Sequence, residues 1–336
     1  MKTNGKCRTG STWKACLLLA GVAVPTAALA GTMDVQKDKT TGQYLIREGG
    51  KPVLRYNYQA IAPGDLLAKI KEGNRKYARP RSDYIHPLYG LNGEELTLDW
   101  PVDHPHHRGI YWAWPEVDYQ GQRGDLHALQ RVFARPTGLC TTQDGPDCAR
   151  IEAENLWRWE DQEPIVRELA VICAWRSAPV GRFIDLEFHF TALKDEVVLA
   201  RRETKLYGGL NIRLAPVKQQ EIRFVNDSPG AAPGWAWGEL SGIFSGAGVT
   251  GLAVFQSPSN PHYPGDWIQY PEINWLQPTF PAAGTRHVLK PGQPLTLKFR
   301  LWIHAGKASE SGLAEVWTDS VNSSKSTSPH TTNPNR

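Results

Sequence analysis

Between Arg182 and Phe190 the chain alternates strictly, with Ile184, Leu186, Phe188 and Phe190 on one side and Asp185, Glu187 and His189 on the other. A period of two sends successive side chains to opposite faces of an extended backbone, so this stretch can bury one face only as a β-strand. Leu295, Leu297, Phe299, Leu301 and Ile303 repeat the pattern opposite Thr296, Lys298, Arg300, Trp302 and His304. Further strand candidates are 42–48, 52–57, 110–114, 151–159, 165–175, 197–206, 221–225 and 250–256, punctuated by clusters of Gly, Pro, Asn and Asp. Helical spacing is confined to Leu313, Val316, Trp317 and Val321, after Ser309 and Ser311. Many strands without interleaved helices predict an all-β chain, a large antiparallel β-sandwich with one short C-terminal helix.

The first thirty residues stand apart from this pattern. Lys2, Lys6, Arg8 and Lys14 make a basic start, an apolar run follows from Cys16, and Ala28-Leu-Ala30 is a small-x-small cleavage pattern, so 1–30 reads as a signal peptide. The run is shorter than the roughly 20 residues a bilayer span needs, and no other span is found. A periplasmic or secreted location follows, with 31–321 as a single β-sandwich domain and the Ser-, Thr-, Asn- and Pro-rich 322–336 as a disordered tail.

Removing the signal also removes the charge imbalance. Four of the 38 basic residues lie in it and none of the 34 acidic ones, so the remaining chain is neutral. Nucleic acid, which binds through phosphate attraction, is therefore not an expected partner.

Cys140 and Cys148 flank Thr-Thr-Gln-Asp-Gly-Pro-Asp, a turn composition, and an exported chain is expected to join them in a local disulfide. Cys173 lies in the apolar run 169–175 and reads as a small buried hydrophobe.

Chemistry concentrates in Trp100-Pro-Val-Asp-His-Pro-His-His-Arg-Gly-Ile-Tyr-Trp-Ala-Trp114. Proline biases the residue before it toward an extended backbone, so His104 and His106 are expected on one side and His107 on the other. Two same-side histidines can chelate a metal if a third ligand arrives, with His86, His127, His262 and Asp266 as sources. The plainer reading is that Asp103, His104 and Arg108 tie a loop together, and the expectation is no cofactor and no metal, or His104 and His106 if one is present. An acid/base reading makes a histidine the proton carrier near neutral pH.

Two other loops are rich in polar and aromatic groups, Tyr207-Gly-Gly-Leu-Asn-Ile-Arg213 and 257–267. Tryptophans recur at i,i+2 in Trp112/Trp114, Trp157/Trp159 and Trp235/Trp237. Such pairs share a strand face, which is commonly core, but indole surfaces in a groove also suit the apolar C–H faces of sugars.

His86-Pro-Leu-Tyr-Gly90, Asp103-His-Pro-His-His-Arg-Gly109, Tyr207-Gly-Gly-Leu210 and Ser259-Asn-Pro261 before Trp267 together resemble an exported bacterial family commonly labelled methane oxygenase PmoA. The resemblance covers roughly residues 40 to 305. The label does not fit the chain, because the membrane subunit of that name is a bundle of transmembrane helices and this sequence reads as strands. Proteins of this kind occur among carbohydrate-degradation systems, and the resemblance implies a galactose-mutarotase-type sandwich acting on a carbohydrate.

The expectation is an exported enzyme that cleaves or isomerises a glycoside or polysaccharide fragment. His104, His106, His107 and Arg108 are the expected catalytic groups, and His86, Tyr89, Asp103, Arg213, His262 and Trp267 the substrate-binding ones. A non-catalytic carbohydrate-binding protein and a His-ligated metalloenzyme are the alternatives.

Overall fold

A computed structural model describes residues 31–225, 235–246, 248–307 and 312–319. The expected signal peptide, the tail 322–336 and Val321 of the C-terminal helix lie outside the described residues.

Among the described residues twenty strands form three sheets, and every strand pair is antiparallel. One sheet runs Met33–Asp38, Gln43–Glu48, Lys51–Asn57, Tyr84–Leu88, Ile110–Ala113, Gly209–Arg213, Trp275–Pro278, Trp267–Tyr270. The second runs Lys218–Val225, Trp237–Ile243, Thr250–Gln256, Leu295–Ala305, Arg182–Ala192, Glu163–Trp175, Cys148–Trp159, Val132–Gln143. A small sheet joins His287–Leu289, Val197–Ala200, Glu116–Tyr119 and Gln122–Gly124. The fold is an all-β sandwich, with one short α-helix among the described residues, over 312–319, whose Leu313 and Trp317 pack with Trp237, Phe255 and Trp302.

Parity along the strands assigns the faces. Arg182–Ala192 and Cys148–Trp159 alternate buried and half-buried along their whole length. Ile110, Trp112, Leu210, Ile212 and Leu276 of the first sheet meet Phe188, Leu252, Val254 and Leu301 of the second in one core. Trp112 stacks on Trp114 with ring centres 4.6 Å apart and meets Phe188 and Phe190 edge-on, each at 5.1 Å. Trp157 and Trp159 are buried too, so these indole pairs are core and do not line a groove. The pair Trp235/Trp237 splits, with Trp237 buried and Trp235 partly exposed against Phe224.

Burying aromatic area supplies the driving force, and each well-oriented ring pair adds about 0.5–1.5 kcal/mol beyond it. The core also holds polar groups. Tyr56 donates to Asp83 at 2.9 Å, Asn155 donates to Tyr56 at 3.0 Å and Trp157 donates to Glu168 at 2.6 Å. Burial, followed by the neighbouring Asp83, pushes the Glu168 carboxyl well above its ordinary range, so one proton is retained in this pair.

Three expectations are corrected. The strand expected over 197–206 ends at Ala200, because the Arg201 guanidinium donates to the carbonyls of Leu206 and Lys205 and gathers the polar run into a turn in which Glu203 and Thr204 take positive φ. The twelve-residue strand Val132–Gln143 went unread, since Arg-Pro-Thr-Gly interrupts its pattern; the ladder shifts register between Pro136 and Cys140, where Gly138 has φ +91°.

Cys140 and Cys148 are free thiols, as is Cys173. The hairpin sets Cys140 opposite Ala153 while Cys148 pairs with Trp175, so five residue steps separate the two sulfurs along the strand pair, roughly 16 Å at strand rise. That exceeds the reach of a disulfide. Cys173 is half-buried, not sealed in the core.

Candidate functional site

The face of the first sheet turned away from the core carries polar groups where the inward face is apolar. On its central strands Tyr84, Tyr111, Asn211, Arg213, Trp275 and Gln277 alternate with the core residues, and all six are buried under loops. Residues 61–81, 99–108, 123–131 and 201–207 form that cover.

His104 to His107 form a tight turn closed by His107 N–H donating to the His104 carbonyl at 2.9 Å. Pro105 takes its second position, where a fixed φ near −65° is favoured. The chain reverses at Pro105 and His106 instead of running on extended. His107 is therefore not turned away from the other two: its ring lies 4.9 Å from His104 and 4.7 Å from His106.

His127 joins them from the loop 125–130, which closes on itself through Asp125 and Gln130, each donating its backbone N–H to the other's carbonyl. Arg81 pins the loop by donating to the carbonyls of Leu126 and His127 at 2.6 and 2.7 Å. The His127 ring sits 4.6 Å from His106 and shares a 2.9 Å hydrogen bond between Nδ1 and the Tyr111 hydroxyl.

His106, His107 and His127 each present a ring nitrogen within 4.8 Å of the others, a grouping a metal ion could occupy. Burial, then the charge of His104 and of Arg81 and Arg213, pushes His106 down to about 3. Burial likewise holds His107 and His127 well below the usual imidazole range, so all three rings are neutral. His104 differs: it is 44% exposed and its Nδ1 lies 3.0 Å from Asp103, which also accepts from Arg213 at 3.3 Å. Burial raises the Asp103 carboxyl, but the His104 bond and Arg213 outweigh it and hold Asp103 below its ordinary value.

His104, His106 and His127 form part of the wall of a cavity of about 560 Å³. Asn74, Tyr77 and Tyr207 line it with His104, His106 and His127, and so do Arg202 and Asp125, paired at 3.0 Å. Burial pushes the Asp125 carboxyl up to about 6.

Of the expected site residues, the structure gathers His104, His106, His107, Asp103 and Arg213. Arg108 is not among them: its side chain is 1% exposed, and it donates to Asp99 and Tyr84 and stacks on Trp100 with its guanidinium carbon 3.6 Å from the ring centre. His86 bonds to Thr97 at 3.0 Å, and neither it nor Tyr89 lines the cavity. The 257–267 loop does not contribute, because His262 is exposed near Phe280 and Trp267 is packed on Phe224 with its indole N–H donated to the Trp235 carbonyl. Tyr111, Asp125 and Arg202 were missed, although parity opposite Trp112 marks Tyr111 as facing away from the core.

No curated protein matches the chain in sequence. Among solved structures it is similar to a polysaccharide lyase, at TM-score 0.35 and 11% identity over 83% of this chain and 33% of that one. It is also similar to a chain described as a kojibiose phosphorylase from the human microbiome, at TM-score 0.32 and 8% identity over 65% of this chain and 26% of that one. It thus spans about a third or less of either protein. The profile of DUF6807, described as a family of unknown function, matches residues 43–318.

Proposed function

The chain belongs to the DUF6807 family, and we propose that it is an exported enzyme that cleaves or isomerises a carbohydrate in the cavity beside the histidine cluster. The observation that carries this reading is the partly exposed His104–Asp103 pair beside a polar cavity that His106 and His127 also line. An accessible ring oriented by a carboxylate is the arrangement a proton carrier needs.

A volume of about 560 Å³ suits one or two sugar residues. Asn74, Gln130 and Asp125 offer hydroxyl partners, Tyr77 and Tyr207 offer flat apolar faces, and Arg202 offers a fork for a carboxylate. An acidic sugar is the substrate class this lining favours, with Arg202 in the anchoring role. The resemblance of Asp103–Gly109 to exported proteins of carbohydrate systems supports the same substrate class.

Incubation with neutral and uronic-acid oligosaccharides, read by mass spectrometry, tests it. Product masses summing to the substrate indicate a lyase, a gain of one water a hydrolase, and one product of equal mass an isomerase. His104→Ala is expected to lower kcat by about 10²- to 10⁴-fold. Glycan binding without any product would replace the enzyme by a carbohydrate-binding protein.

A further inference from the structure

We propose that His106, His107 and His127 bind one divalent transition-metal ion, zinc being the ion this donor set fits, with the fourth position open to the cavity. The ion deepens the carbohydrate reading and rests on it only for what the metal would do to a substrate; binding itself can be read without one.

Three imidazoles with an open fourth position form a donor set found in catalytic zinc sites. Metal–nitrogen bonds of about 2.0–2.1 Å in a tetrahedron place ligand nitrogens roughly 3.3 Å apart. The three rings already lie within 4.8 Å, so modest rotations, His106 being the least buried, bring them to that spacing.

Two independent features point to a ligand. Nδ1 of His106 is buried and has no hydrogen-bond partner, an unfavourable state unless something satisfies it. The 2.9 Å contact between Tyr111 Oη and His127 Nδ1 is the outer-shell bond typical of a metal-bound histidine. With that Nδ1–H donated to the tyrosine oxygen, Nε2 is the lone pair His127 can offer.

Arg81 and Arg213 bring positive charge close to the rings, and Asp103 and Asp125 bring negative charge. A cation tolerates that surrounding best when its fourth ligand is an anion. Hydroxide or the carboxylate of an acidic sugar meets the requirement, and both reach the open side. An ion there would polarise a substrate oxygen or lower the pKa of a bound water.

The experiment uses tag-free protein stripped with a chelator and titrated with Zn²⁺ by calorimetry and with Co²⁺ by visible absorption. One equivalent is expected to bind, with the Co²⁺ bands of a four- or five-coordinate nitrogen site and a raised Tm. His106→Ala and His127→Ala are expected to abolish the Co²⁺ bands. Tyr111→Phe, which keeps the ring and its packing, is expected to weaken binding about 10- to 100-fold, while His189→Ala on the other sheet leaves it unchanged. The apo-protein melting curve of each variant separates lost ligands from lost fold. Absence of saturable binding overturns the proposal, as does binding that survives in folded His127→Ala. Neither result touches the carbohydrate reading, which the oligosaccharide assay decides.

Discussion

Arg108 shows why a residue's chemistry and its role can diverge. The same charge and forked donors that suggest an anchor for a substrate carboxylate are spent inside the protein on Asp99, Tyr84 and the face of Trp100. A guanidinium buried in this way is costly to disturb, because removing one member leaves its partner uncompensated. Arg108→Ala is expected to destabilise the fold by about 3–5 kcal/mol, read as a lower urea midpoint. A substrate anchor would instead raise KM at unchanged stability. Arg202 is expected to behave in that second way, since its partner Asp125 lines the cavity with it.

The turn 104–107 and the loop 125–130 are the elements on which the site depends, and they illustrate what the sequence could and could not say. Pro105→Ala keeps the residues of the turn but frees its second position. It is expected to lower stability by only about 0.4–1 kcal/mol in thermal melts. If the turn aligns the three imidazoles, turnover and metal affinity should fall by far more than that. Equal small losses in all three would leave Pro105 a mere loop residue.

Strands were legible where a long run buries one face, as in Arg182–Ala192, because alternation is a local signal, while short or wholly buried strands such as Gly209–Arg213 and Trp275–Pro278 carry none. His104, His106 and His107 stood out because they are adjacent in sequence. Their meeting with His127 was not legible beyond its place among several candidate ligands, since a partner twenty residues away is selected by loop closure and by Arg81, neither of which leaves a periodic trace. The 257–267 loop failed for the reverse reason: its composition resembles a site, but packing of Trp267 on Phe224 commits it elsewhere.

At the scale of the whole molecule, the two sheets close over Asp83 and Glu168, and this sets a pH dependence. The Glu168 carboxyl is raised well above its unfolded value of about 4.3, so the folded state binds the extra proton. Stability is then full below that value and is lost as pH rises toward the folded pKa. Glu168→Gln keeps an acceptor for the Trp157 indole and supplies an N–H toward Asp83 without the charge. Urea unfolding between about pH 4 and 8 is expected to show the variant gaining on the parent as pH increases. Parallel profiles would mean that the pair does not retain its proton.

The division of faces on the first sheet has a practical consequence for anyone who wishes to redirect this protein. On the strands at 110–113, 209–213 and 275–278, even positions hold the two sheets together and odd positions lie on the opposite face, where Tyr111, Arg213 and Trp275 meet the histidines. A library varying Asn74, Tyr77 and Gln130, which line the cavity from the covering loops, would sample new recognition while every core contact stays in place. An insertion of one residue in any of these strands would exchange the two roles, so evolution can lengthen the covering loops freely but must count in pairs here.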